Sequence, residues 1–187
     1  MILTLPLADA SGGDAETLER WRRFLKHRDD LSSRMDLQTC NGCDYCGSRC
    51  TDGFLVTREE YEAARTFFAT LPIEEAKRLS GEARTLPWPG AEETGATVTY
   101  CRYRDMERGR CVIYPVRPTI CRLFGQTSWL PCPIGAIDYF PEDAATFWND
   151  YRRFERHTWS EWDILMRNKS FENDNVSKEG IVSPQDE

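Results

Sequence analysis

No stretch of this 187-residue sequence approaches the roughly 18 to 20 consecutive apolar residues that a membrane-spanning helix needs, so a soluble protein is expected. Lys and Arg are missing ahead of Arg20. The apolar start Met1–Ala8 therefore lacks the basic segment of a secretory signal, and a cytoplasmic location is expected. Histidine is scarce: His27 and His157 each stand alone among charged residues, with no neighbouring histidine or cysteine, and read as surface residues rather than ligands. There is no glycine-rich phosphate loop, no GxSxG elbow, no HExxH pair and no internal repeat. The adjacent glutamates Glu59-Glu60, Glu74-Glu75 and Glu92-Glu93 point to different faces of any helix and make no acid/base pair. Positive charge is short overall. With 24 Lys and Arg against 31 Asp and Glu, the net charge of −7 argues against a surface built for nucleic acid or anionic lipid.

The 40% hydrophobic and 12% aromatic content is enough for one real core and excludes global disorder. Asp14 can cap a helix carrying Leu18, Trp21, Leu25, Leu31 and Met35 at helical spacing. Thr57-Arg-Glu-Glu60 is a capping box ahead of Tyr61, Ala64, Phe68 and Leu71, and a short helix is expected from Ile73 to Leu79. Gly81 to Gly95 reads as a loop. Thr97–Cys101 and Cys111–Tyr114 have strand composition, and Arg108-Gly109 suits the turn of a hairpin between them. Pro118 fits the first turn of a helical segment bearing Cys121, Leu123 and Phe124. A longer helix is expected over Pro141–His157, extended or repacked by Ser160–Met166. The polar tail beyond it is expected to be disordered. The expected fold is α+β and mainly helical, a small irregular metal-stapled core with a short β-hairpin and flanking helices. Its parts are an N-terminal helical segment (1–37), a cysteine-cluster metal-binding domain (38–137), a C-terminal helix on that domain (138–167) and the tail (168–187).

Eight cysteines are too few for a disulfide scaffold of this length, and in a reducing compartment their spacing points to metal. Cys40, Cys43, Cys46 and Cys50 form C-x2-C-x2-C-x3-C, the spacing by which bacterial ferredoxins wrap a [4Fe–4S] cluster, with Thr51 where those proteins carry Pro. Two intervening residues let the backbone curl around a soft metal, and Gly42 and Gly47 permit the turn. Zinc also accepts C-x2-C knuckles. Four idle thiols would not be grouped among Asn, Gly, Asp, Ser and Arg, because free Cys behaves as a small hydrophobe. A thioredoxin-like pair is disfavoured, since no parallel-sheet pattern precedes Cys40.

Cys101, Cys111, Cys121 and Cys132 follow at intervals of ten, ten and eleven residues. The segment Cys111-Val-Ile-Tyr-Pro-Val-Arg-Pro-Thr-Ile-Cys121-Arg122, with Cys40, Cys43, Cys46, Thr57 and Glu60, resembles the YkgJ-type cysteine-cluster family of zinc- or iron-chelating proteins. The resemblance covers about residues 38 to 137. It implies thiolate metal binding and no established reaction. The family's adjacent cysteine pair is absent: Gly47 follows Cys46, and the fourth cysteine is displaced to Cys50. Cys101 and Cys132 match by placement more than by motif.

Six arginines, Arg102, Arg104, Arg108, Arg110, Arg117 and Arg122, lie between Cys101 and Leu123 against only Asp105 and Glu107. Two four-thiolate sites would carry about four negative charges, which nearby guanidinium groups would offset. A solvated basic face is the plain alternative. The expected metal ligands are all eight cysteines, with Arg117 and Arg122 beside the cofactor, an iron–sulfur cluster or zinc. Alternatives are a redox or metal-dependent enzyme with an open metal position, and an iron-handling module that presents its arginines to an acidic protein partner.

Overall fold

In the computed structural model, residues 15–36, 38–40, 43, 45–79 and 84–168 are described; the Asp14 cap, the apolar start, Gly42 and the tail from residue 169 lie outside them. Helix α1 (Ala15–Ser33) turns Trp21, Phe24 and Leu31 to one side, and α5 (Ala144–Tyr151) answers with Ala144, Phe147 and Tyr151. These side chains and Leu123 of α4 (Thr119–Leu123) form one apolar core. Phe24 stacks on Phe147 with ring centroids 4.9 Å apart. Asp143 pins the two helices together, accepting from Arg34 Nη1 at 2.8 Å and meeting His27 Nε2 at 3.3 Å. The hydrogen bond from Arg34 holds its carboxyl down to about 2. The helix expected over 141–157 is shorter than its apolar pattern suggests. It ends at Tyr151, because His157 is drawn into a backbone pair with Val56 at 2.9 and 3.1 Å, and a separate helix α6 runs over 159–168.

The second core joins α2 (Arg58–Ala69) to α6 through Val56, Tyr61, Ala64, Trp159 and Trp162, with Tyr103, Ile113 and Val116 from the cysteine-bearing segment. A short α3 (Ile73–Arg78) follows α2. The capping box forms as its spacing predicts: Thr57 Oγ1 accepts from the Glu60 N–H, and Glu60 Oε2 accepts from the Thr57 N–H at 3.1 Å. Glu60 does more than close the box. Its Oε1 accepts from the N–H of Thr119 at the start of α4 (2.7 Å), and its Oε2 from the Tyr151 hydroxyl (2.5 Å). One buried carboxylate thus ties α2, α4 and α5, and α4 carries Cys121. Glu60→Gln is expected to destabilise the fold by about 1–3 kcal/mol, because an amide must turn a donor toward groups that are themselves donors. Chemical denaturation of the variant checks this; an unchanged midpoint would show the network to be dispensable.

Among the described residues three two-stranded antiparallel pairs complete the fold, which is mainly helical α+β: β1 (Arg84–Pro87) with β2 (Thr97–Tyr100), β3 (Arg104–Asp105) with β4 (Arg110–Cys111), and β5 (Gln126–Thr127) with β6 (Leu130–Pro131). The hairpin expected between Thr97–Cys101 and Cys111–Tyr114 does not form. One edge of β2 takes Arg84–Pro87, from within the segment that reads as a loop, and the other takes residues 50–52 through Asp52 N to Thr99 O (2.8 Å) and Cys101 N to Cys50 O (3.0 Å). β1 is exposed along its whole length and so carries no alternation that would mark it as a strand. The Arg108-Gly109 turn is present, with Gly109 at φ 67°, but it closes the β3–β4 pair. Pro115 sets a 3₁₀ turn over Tyr114–Val116 where a strand was expected. Among the described residues no helix is long and apolar enough to cross a membrane.

Candidate metal centre

Backbone geometry gathers the cysteines in an order that differs from their order in the chain. Cys40 and Cys43 lie in the turn after α1, where the Cys43 N–H donates to the Cys40 carbonyl at 3.2 Å. Cys46 follows in a 3₁₀ turn over Tyr45–Arg49. Cys132 arrives from the far side of β6, set against Gly125, whose φ of 81° few side chains tolerate and whose Cα faces Cys132 and Cys46 Sγ. Cys40, Cys43, Cys46 and Cys132 line one cavity of about 40 Å³, together with Tyr114 and Arg117.

Cys50, the fourth cysteine of the run, does not line this cavity. Its thiol shares hydrogen bonds with those of Cys101 and Cys111, and the Cys121 thiol lies within the electrostatic reach of Cys50 and Cys101. Cys50, Cys101, Cys111 and Cys121 line a second cavity of about 70 Å³. Cys43, Cys46, Tyr114, Arg117 and Phe124 border both cavities, so the two are separated by a single layer of side chains.

Gly47 makes this division possible, for a reason other than turn geometry. A Cβ on Gly47 would lie 1.6 Å from the carbonyl oxygen of Gly109, so only glycine allows the 3₁₀ turn to press against the β3–β4 turn. That contact brings Cys50 to Cys111.

The second group of thiols is the more deeply desolvated. For Cys50, the hydrogen bond with Cys101 favours the thiolate, but the bond with Cys111 and burial outweigh it and push the thiol up to about 12. Cys101 is raised well above the usual thiol range by its hydrogen bond with Cys50 and by burial, and Cys121 by burial first. Burial also raises Cys40 and Cys46, while the Gln126 amide opposes it at Cys40 and the Arg117 charge opposes it at both. A thiol that burial holds protonated becomes a thiolate when a soft cation replaces the proton. As thiols the cysteines are neighbours rather than a closed shell: among the described residues no three Cys, His, Asp or Glu side chains form a ready-made site for an ion.

The surroundings suit sulfur-bound metal. Arg117 Nε and Arg104 Nε and Nη1 are buried without a hydrogen-bond partner among the described residues, and the Arg104 charge acts on Cys50 as the Arg117 charge acts on Cys40, Cys46 and Cys121. Unpaired guanidinium N–H groups beside four-thiol cavities match the anionic, acceptor-rich surface that thiolate-bound metal presents. Arg122 has other work: its Nε donates to the Arg117 carbonyl at 2.9 Å and its Nη2 to that of Pro115 at 3.0 Å, bracing the backbone that carries Arg117. Burial lowers its pKa to about 10.

Sequence reading missed Gln126. This side chain is 1% exposed, donates from Nε2 to the Cys40 sulfur and to the Asp36 carbonyl, both at 3.2 Å, and accepts from the Asp36 N–H at 3.2 Å. A Gln between Gly125 and Thr127 gives no sign of this; a buried polar residue is informative only once its burial is known.

Neither a curated protein nor a solved structure matches the chain. The family described as CxxCxxCC, putative zinc- or iron-chelating domain, matches residues 39–152, a span holding all eight cysteines, Arg117 and Gln126. With more than half of its length matched, the chain belongs to this zinc- or iron-chelating cysteine-cluster family.

Proposed function

We propose that the chain holds two iron–sulfur clusters, one on Cys40, Cys43, Cys46 and Cys132 and the other on Cys50, Cys101, Cys111 and Cys121. The observation that carries this reading is the crossing of Cys50 into the second group. In two-cluster ferredoxins the fourth cysteine of a C-x2-C-x2-C-x3-C run likewise ligates the other cluster. A remote cysteine followed by proline, here Cys132-Pro133, completes the first group in the same manner. Family membership supports iron or zinc on these thiolates.

Such clusters, when bound, supply one-electron chemistry. The chain's own part is to desolvate Cys101 and Cys121 in part, to donate N–H groups from Gln126 and Arg117, and to hold the ligand loops against two packed cores. The metal-binding unit is then the segment 38–137, and its metal is part of its stability.

Iron, zinc and acid-labile sulfide analysis with an absorption spectrum, on full-length protein purified without oxygen, tests this. The expected result is brown protein with about eight iron and eight sulfide per chain, as two [4Fe–4S] clusters require. Colourless protein with stoichiometric zinc would replace the iron–sulfur reading with a zinc one. Gln126→Leu should weaken metal retention in the first group alone, by roughly 10- to 100-fold, because it removes the N–H···S bond to Cys40. Chelator-driven metal loss measured separately for the two sites checks this, and equal loss from both would refute it.

A further inference from the structure

Among the described residues, one cationic side chain borders both cavities. Arg117 lines the space of Cys40, Cys43, Cys46 and Cys132 and also that of Cys50, Cys101, Cys111 and Cys121. Its place is fixed three ways. The guanidinium sits over the Tyr114 ring, 4.0 Å from the centroid; Arg122 Nε grips its carbonyl at 2.9 Å; and Pro118 sets the backbone that follows. What this framework holds in place is a buried Nε–H with no hydrogen-bond partner among the described residues.

We infer that Arg117 is a positioning residue shared by the two metal sites, a single cation whose charge and N–H groups serve the thiolates of both. The inference rests on the two-site reading above and concerns thiolate-bound metal of either kind, iron–sulfur or zinc. The reason one residue can act twice is electrostatic. Each four-thiolate site carries about two negative charges once filled, and two such charges separated by one side-chain layer repel in a medium that screens them poorly. A guanidinium between them attracts both. Gln126, in contrast, reaches only Cys40 among the cysteines.

The test uses cobalt(II) as the probe on the full chain, stripped of metal under reducing, oxygen-free conditions, because its sulfur-to-metal absorption reports thiolate ligation whichever metal is native. Cys132→Ser isolates the second site and Cys111→Ser the first, so the affinity of each is read separately. Adding Arg117→Gln is expected to weaken cobalt binding in both backgrounds, by roughly 10- to 100-fold at each site. Arg117→Lys should restore most of the loss, since it keeps the charge, while Gln126→Leu should weaken the first site only. Thermal melting of the metal-free variants separates this from misfolding. If Arg117→Gln melts below wild type, the Arg117→Lys and Arg117→Met pair decides, with affinity following charge at both sites under the inference.

An effect confined to one site, or equal affinities with Lys and Met, would overturn the shared role while leaving two-site metal binding intact. Cobalt uptake by neither site in the wild-type chain would instead bring down the metal reading and this inference with it.

Discussion

Cys50→Ser should lose the same metal as Cys111→Ser, not the metal of its sequence neighbour Cys46, and Cys132→Ser should lose the same metal as Cys43→Ser. Each single variant is expected to keep about half of the wild-type load, because each quartet supplies one site. The double variant Cys50→Ser/Cys111→Ser should keep that half, since both residues belong to one site, whereas Cys50→Ser/Cys132→Ser should keep none. The basis is spatial: Cys50 hydrogen-bonds with Cys101 and Cys111, while Cys132 shares a cavity with Cys40, Cys43 and Cys46. Stability should fall with the metal, as the binding free energy of a site absent from the unfolded chain is folding free energy. Elemental analysis per chain reads the outcome directly. If Cys50→Ser and Cys111→Ser prove additive, the two cysteines serve different sites and the crossing is wrong.

Gly47→Ala is expected to compromise both sites at once, although a methyl group is all it adds. Its Cβ would stand 1.6 Å from the Gly109 carbonyl oxygen, and both partners are backbone, so neither side can yield by a change of rotamer. The 3₁₀ turn must move off the β3–β4 turn, and that movement shifts Cys46 in the first site and parts Cys50 from Cys111 in the second. Overpacking of this kind costs about 1–3 kcal/mol, occasionally more, before any loss of metal is counted. Gly53→Ala is the comparison. Gly53 has φ 90° and open space around its Cα, so Ala there meets backbone strain alone, and a loss of about 1 kcal/mol with full metal content is expected. Metal content and melting temperature of the two variants decide. Wild-type metal in Gly47→Ala would show that the close approach is not needed to assemble the sites.

Much of this molecule could be read from one dimension because its causes are local. The capping box at Thr57 and Glu60 needs only a three-residue spacing, and it forms. The apolar faces of α1 and α2 repeat at helical intervals, and they are the faces that become buried. Metal binding through cysteines was to be expected from their spacing and from the resemblance, and the family match bears out the coarse form of that expectation, zinc or iron chelation.

What sequence could not supply were relations between segments far apart in the chain. β1 lacks alternation because both its faces are exposed, so only its pairing with β2 reveals it. Gly47 looked like a turn glycine, yet it is required by a carbonyl from a turn beginning after Asp105. Gln126 became a neighbour of Cys40 through the double hydrogen bond to Asp36, a contact across 90 residues. Residue types and spacing determined that the cysteines suit a soft metal and where the longer helices run, because thiolate chemistry and helical periodicity act over a few residues. Tertiary structure alone decided that Cys50 stands with Cys101 and Cys132 with Cys46, because a side chain's partners depend on which face of a turn packs against which distant backbone, and that packing is a property of the whole fold.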